Sequence, residues 1–194
     1  MGVALGSCVG VVGDGLGRLP PDASEWPGLL APARATFEPV ADVLQGSCGT
    51  LDCHGQIGRN LRLYGGRGLR WDPRDNSADN PTTAREYDES YWSVIGLEPE
   101  VMSAVVRDHG LDPQRLTMVR KARGLEKHKG GLLFETGDDQ DRCLVSWVGG
   151  AIDRAACDRV LHPAREANAA SGHPSMGPVG PADAVRDSQE EARW

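Results

Sequence analysis

At 194 residues the chain has room for one domain with additional segments and too little for two full ones. Hydrophobic residues make up 39% of it and aromatic residues only 5%, so a core built from side chains alone would be modest. A formal net charge of −7 argues against a general nucleic-acid binder, which needs clustered Lys and Arg facing phosphates. No run approaches the roughly 20 apolar residues of a membrane-spanning helix.

The first thirty or so residues are rich in Gly and Pro, and Pro20, Pro21, Pro27 and Pro32 discourage regular structure. Residues 1–32 therefore read as a flexible, disordered tether. Inside it, Leu5-Gly6-Ser7-Cys8 resembles the lipobox of bacterial lipoproteins. That resemblance implies a lipid on Cys8, with membrane association through the anchor only. It also implies a truncated signal segment, because neither Lys or Arg nor a full apolar stretch precedes the cysteine. Gly13-Asp14-Gly15-Leu16-Gly17 has no strand before it, which argues against a nucleotide loop.

A domain is expected over residues 33–161. Phe37, Val40, Val43 and Leu44 recur at helical spacing and predict a short helix that runs into Cys48. There, Cys48-Gly-Thr-Leu-Asp-Cys53-His54-Gly55 sets two thiols and an imidazole in one loop. Covalent haem attachment needs this set: the thiols add to the two vinyl groups, and the adjacent histidine is held under the iron. The usual c-type motif separates its cysteines by two residues, whereas four stand here, so the match is to a lengthened variant. A local disulfide or a pair of zinc ligands would use the same side chains. Zinc would need further ligands, and no second Cys pair or His-x3-His stands at metal-site spacing.

Beyond the loop, residues 60–64 and 68–71 alternate apolar and polar side chains around Gly65-Gly66-Arg67, which predicts a small β-hairpin. Arg74 to Pro81 is polar and reads as a loop. Thr83 and Glu86 have the spacing of a capping box and open a helix carrying Tyr87, Tyr91, Val94 and Ile95. A further helix is expected from Pro99 to His109 with Gly110 as its stop, and Asp112-Pro113 resembles another helix start. Arg115, Arg120, Lys121, Arg123, Lys127 and Lys129 form a basic run. It reads as a solvated face, as a docking patch, or as a set of partners for haem propionates.

The run His128-Lys-Gly130-Gly131 precedes a helix that Asp138, Asp139 and Asp141 begin, with Leu144, Trp147, Val148 and Ala151 on one face. Together with the Phe37 helix and the Cys48 loop, this pattern resembles the monohaem cytochrome c-like domains of bacterial exported proteins. The resemblance covers roughly residues 37–152, with a longer, less recognisable middle. It implies that the first and last helices cross beside the haem, with Leu44 and Trp147 as candidates for the crossing. It also implies covalent haem c on Cys48 and Cys53, with His54 as the proximal iron ligand. For the distal position His128 is favoured, because the two glycines after it would let the backbone pass close to a flat porphyrin. Met118 is the rival, and its apolar neighbours Leu116 and Val119 favour a core position. Cys143 and Cys157 flank a short segment and suit a disulfide in an oxidising compartment, which would leave no free thiol.

Residues 162–194 have too little apolar content to fold and read as a disordered tail. No Ser/His/Asp order, phosphate loop or paired-carboxylate motif points to an enzyme. The expected fold class is mostly α, a cytochrome c-like helical domain with a small β-hairpin insertion and disordered terminal segments. The expected function is one-electron transfer by a periplasmic or outer-surface protein with an unidentified redox protein as partner. The alternative is a haem-free, disulfide-stapled lipoprotein that serves as an interaction module.

Overall fold

The computed structural model describes residues 28–74 and 80–163. Most of the expected tether, the lipid site at Cys8 and nearly all of the expected tail fall on residues 1–27 and 164–194, and part of the expected polar loop on residues 75–79, outside the described residues. The described part is mostly helical, with six α-helices and two 3-10 turns.

After the 3-10 turn Arg34–Thr36, helix α1 (Glu38–Cys48) begins with Pro39 in its first turn, where a missing N–H costs nothing because those donors have no intrahelical acceptor. Its buried face is Val40, Ala41, Val43, Leu44 and Gln45, and it delivers Cys48 as its last residue. Helix α2 (Ala84–Ile95) opens on the expected capping box. The Glu86 amide donates to Thr83 Oγ1 at 3.3 Å, and the Thr83 amide donates to Glu86 Oε2 at 2.9 Å.

No strand forms among the described residues, and the expected hairpin is reduced to one isolated bridge between Tyr64 and Leu69. The physical reason lies in where the segment's hydrogen bonds go. The amides of Arg62 and Tyr64 donate to the hydroxyls of Ser93 and Ser90 on α2, at 2.7 and 2.9 Å. The Trp71 amide donates to Glu86 Oε1 at 3.0 Å, and Arg70 Nε pairs with the same carboxylate at 2.9 Å. Side chains of α2 thus satisfy backbone donors that a partner strand would otherwise have taken.

Helix α3 (Pro99–Arg107) ends where His109 and Gly110 turn left-handed, at φ 54° and 77°. A Cβ on Gly110 would meet Gly149 Cα at 2.8 Å, so this stop is also a close backbone contact. The 3-10 turn Pro113–Arg115 leads into the short helix α4 (Thr117–Ala122). Helix α5 (Asp139–Val148) is capped by Asp138, which accepts from the Asp141 amide at 2.7 Å.

A further helix, α6 (Arg154–Leu161), follows α5 and packs on both α5 and α1, so the helix expected to close the domain is not the last. Its start was readable. Asp153 accepts from the Ala156 amide at 3.0 Å, and Ala156, Cys157, Val160 and Leu161 share one face.

Helices α1 and α5 pack together. The best-defined contact is Phe37 against Trp147, with ring centroids 4.9 Å apart, and Tyr91 completes the cluster at 5.5 Å from Phe37. Two polar handles fix the incoming chain to this cluster. Tyr91 Oη donates to Pro32 O at 2.9 Å, and Trp147 Nε1 donates to Ala33 O at 3.0 Å. Cys143 on α5 and Cys157 on α6 are bonded as a disulfide, with Cα atoms 4.8 Å apart. Among the described residues no helix is long and apolar enough to cross a membrane.

Candidate functional site

The C-terminus of α1, the Cys48 loop, the start of α3, α4, the turn after it and α5 converge on a cavity of about 480 Å3. That volume lies within the roughly 300–1,000 Å3 typical of small-molecule and cofactor sites. Leu44, Leu61, Leu97, Leu133, Phe134 and Leu144 give it apolar walls. Cys48, His54, Met118 and His128 all line it, so residues up to 80 positions apart in sequence face one space. Cys53, in the same loop, is half-buried but does not line the cavity.

The loop that carries these groups is held by its own backbone. The His54 amide donates to Cys48 O at 3.0 Å, the Cys53 amide to Thr50 O at 2.9 Å, and the Gly55 amide to Thr50 O at 3.0 Å. Gly55 is required by this compactness, because a Cβ there would meet Gly49 O at 2.3 Å. Two contacts then fix the imidazole. The Leu63 amide donates to His54 O at 2.9 Å, and His54 Nδ1 lies 3.0 Å from Leu61 O. A ring whose Nδ1–H is donated to a carbonyl presents Nε2 as its free electron pair, the tautomer a metal-ligating histidine needs.

Cys48 and Cys53 are free thiols in this structure, and the local disulfide considered for them does not form. Burial pushes the Cys48 thiol up to about 12, with the neighbouring Cys53 adding to the shift, so Cys48 stays a neutral thiol in the folded chain. Among the described residues no group of three or more His, Cys, Asp or Glu side chains converges to hold a metal ion, which leaves the zinc alternative without its ligand set.

His128 lines the same cavity from the turn after α4. It is half-buried, and its Nδ1 is buried with no hydrogen-bond partner. Burial lowers its pKa, the positive charge of Lys121 and the nearby His54 ring lower it further, and Glu126 acts in the opposite sense. The ring is thereby kept in the neutral form that can donate an electron pair. The role of the first glycine differs from the expected one. A Cβ on Gly130 would meet His128 Nε2 at 2.8 Å, so the room it leaves is taken by the His128 ring itself. Met118 is half-buried, packed against the core and also on the cavity wall, so it is both a core residue and a neighbour of the site.

Long-range contacts that the sequence did not signal hold the histidine turn in place. Arg123 grips Asp141 with two hydrogen bonds of 2.8 Å, and both side chains are nearly buried. Asp141 also accepts from the Gly137 amide at 2.8 Å. The pair clamps the two ends of the segment 124–140 together, and His128 rides on that segment. At the start of α4, Glu98 caps the helix by accepting from the Thr117 amide and hydroxyl at 2.6 and 2.8 Å.

The basic run is largely paired. Arg115 meets Asp108 at 2.7 Å, Arg120 and Lys121 meet Glu126 at 3.0 and 3.5 Å, and Arg123 belongs to the buried clamp. Lys129 reaches over to the attachment loop, where its Nζ donates to Asp52 O at 3.3 Å.

No family model, curated protein or solved structure matches this chain.

Proposed function

We propose that this protein is a c-type haem-binding carrier of single electrons that works outside the cytoplasm with a redox protein as its partner. The observation that carries the reading is the convergence of Cys48, His54 and His128 on one apolar cavity, with His54 Nδ1 held by a carbonyl and its Nε2 left for a ligand. The residues fit the group. Two thiols stand in the loop of the proximal imidazole, Cys48 on the cavity wall and Cys53 off it, and a second imidazole with an unsatisfied nitrogen lines the same cavity. Haem would supply the redox-active iron. The chain's part is to fix His54 through Leu61 O, to hold His128 through the Arg123–Asp141 clamp, and to surround the site with Leu44, Leu61, Phe134 and Leu144, which exclude water. Export is supported by the Cys143–Cys157 bond, because such bonds persist in oxidising compartments.

The test is the intact mass of protein exported from a host competent in haem maturation, which should exceed the chain mass by one haem that survives denaturation. A chain mass without haem would sink the reading and promote the haem-free, disulfide-stapled interaction module. In loaded protein, His128→Ala should change the axial spectrum while Met118→Ala leaves it intact. A sulfur-to-iron band in the near-red that Met118→Ala abolishes would make methionine the distal ligand and raise the potential.

A further inference from the structure

A second, more open pocket of about 440 Å3 adjoins the first, and the two share Gly58, Arg59, Asn60 and Leu97. Its polar side chains are Arg59, Asn60 and Arg62, and no acidic side chain lines it. In a chain of formal charge −7, two unopposed guanidinium groups on one wall form a local cationic field. Arg59 is oriented by donating to Cys53 O at 3.1 Å and Asp52 O at 3.4 Å, so its position is tied to the loop that carries His54. Arg62 is anchored through its backbone amide to Ser93 Oγ at 2.7 Å, while its Nε is buried with no partner. That anchoring leaves the Arg62 side chain on the pocket wall beside Arg59 and Asn60.

We propose that this pocket is a carboxylate-binding vestibule in which Arg59, Asn60 and Arg62 receive the acidic groups of a ligand whose apolar body fills the adjoining cavity. The planar fork of arginine suits a carboxylate, and the shared wall calls for an amphiphile with its acid end at the arginines. The identity of the occupant rests on the haem reading, under which the acidic groups are the porphyrin propionates. A free carboxylate on an apolar body is the other source of the same chemistry. The propionate partners are then residues of the loop after His54, and not the basic run before Gly130, whose charges are mostly paired within the chain.

The test titrates the full chain with iron protoporphyrin and with its dimethyl ester, read by the Soret band. Beside it, benzoate and benzamide are titrated and read at the Arg62 Nε–H resonance. The free acid should bind about tenfold tighter than the ester, and Arg59→Gln/Arg62→Gln should remove that difference while ester binding stays the same. Thermal melts confirm that the variant is folded. A preference that persists in the double variant overturns the assignment. Equal affinities with no benzoate shift overturn the vestibule and leave the haem reading standing. A shift with benzoate but not benzamide, with no porphyrin bound or none preferred, overturns the propionate assignment and gives the vestibule a free carboxylate, while the haem reading is decided by the intact mass. If nothing binds, the vestibule falls.

Discussion

Removing the Arg123 charge while leaving its partner in place should cost far more than removing both charges. In Arg123→Met, the Asp141 carboxylate keeps its acceptance from the Gly137 amide at 2.8 Å but loses two hydrogen bonds of the same length and a counter-charge. The side chain of Asp141 is only 4% exposed, so water cannot replace what is lost. Breaking a buried pair at one end costs about 3–5 kcal/mol, whereas replacing both ends with apolar groups of similar volume is often neutral. Urea unfolding of Arg123→Met and of Arg123→Met/Asp141→Leu should therefore separate by several kcal/mol, with the double variant the more stable. Because the pair closes the segment that carries His128, haem-loaded Arg123→Met should also lose axial ligation before it unfolds. A single-variant loss below about 1 kcal/mol, or a double variant no better than the single, would refute the view that the clamp is buried and closed.

Cys143→Ala/Cys157→Ala opens a loop with a sequence separation of 14, worth about 3 kcal/mol on the chain-entropy model, so calorimetry should show a melting point lower by roughly 10 °C. An unchanged melting point would mean that the bond constrains nothing. Trp147→Ala removes the ring contacts with Phe37 and Tyr91 and the hydrogen bond to Ala33 O, and denaturant titration should register about 3–5 kcal/mol. A loss under about 1 kcal/mol would place the core elsewhere. The Cys48 thiol ordinarily ionises near 9.0 and is pushed up to about 12 by burial, so its contribution to stability is complete below pH 9 and is lost as the pH rises to about 12. Tyr87 is likewise pushed up to about 12 by burial, so a haem-free chain should show an alkaline limb that Cys48→Ala, or a thioether with no proton to lose, reduces but does not abolish. A limb of undiminished size in both would mean that Cys48 contributes nothing to it.

The helices were legible because their signals are local. The Thr83–Glu86 box, the apolar stripe from Phe37 to Leu44, and the acidic start of α5 each lie within a few residues of what they determine. The hairpin failed for a reason of the same kind in reverse. Alternation around Gly65 and Gly66 describes the segment's faces but not its hydrogen-bond partners, and the hydroxyls of Ser90 and Ser93 took the donors. Helix α6 carries the same kinds of local signal, Asp153 at its start and an apolar face after it.

The candidate site divides along that line. Cys48, Cys53 and His54 announce themselves by adjacency, and His128 by the glycines after it, but neither motif says that the two halves meet. What brings them together is a set of contacts between residues far apart in sequence: α1 against α5, Arg123 with Asp141, Lys129 with Asp52 O, and Glu98 at the head of α4. Such contacts leave no periodicity, because one charge satisfies another across a fold whose path the local pattern does not specify. The same holds for the orientation of His54. Its neighbours in sequence supply the ring, but the tautomer is set by Leu61 O, a backbone carbonyl seven residues on whose own identity is irrelevant. Substituting the side chain of Leu61 should therefore disturb the cavity wall more than the imidazole, whereas displacing the backbone between Gly58 and Leu63 should release both.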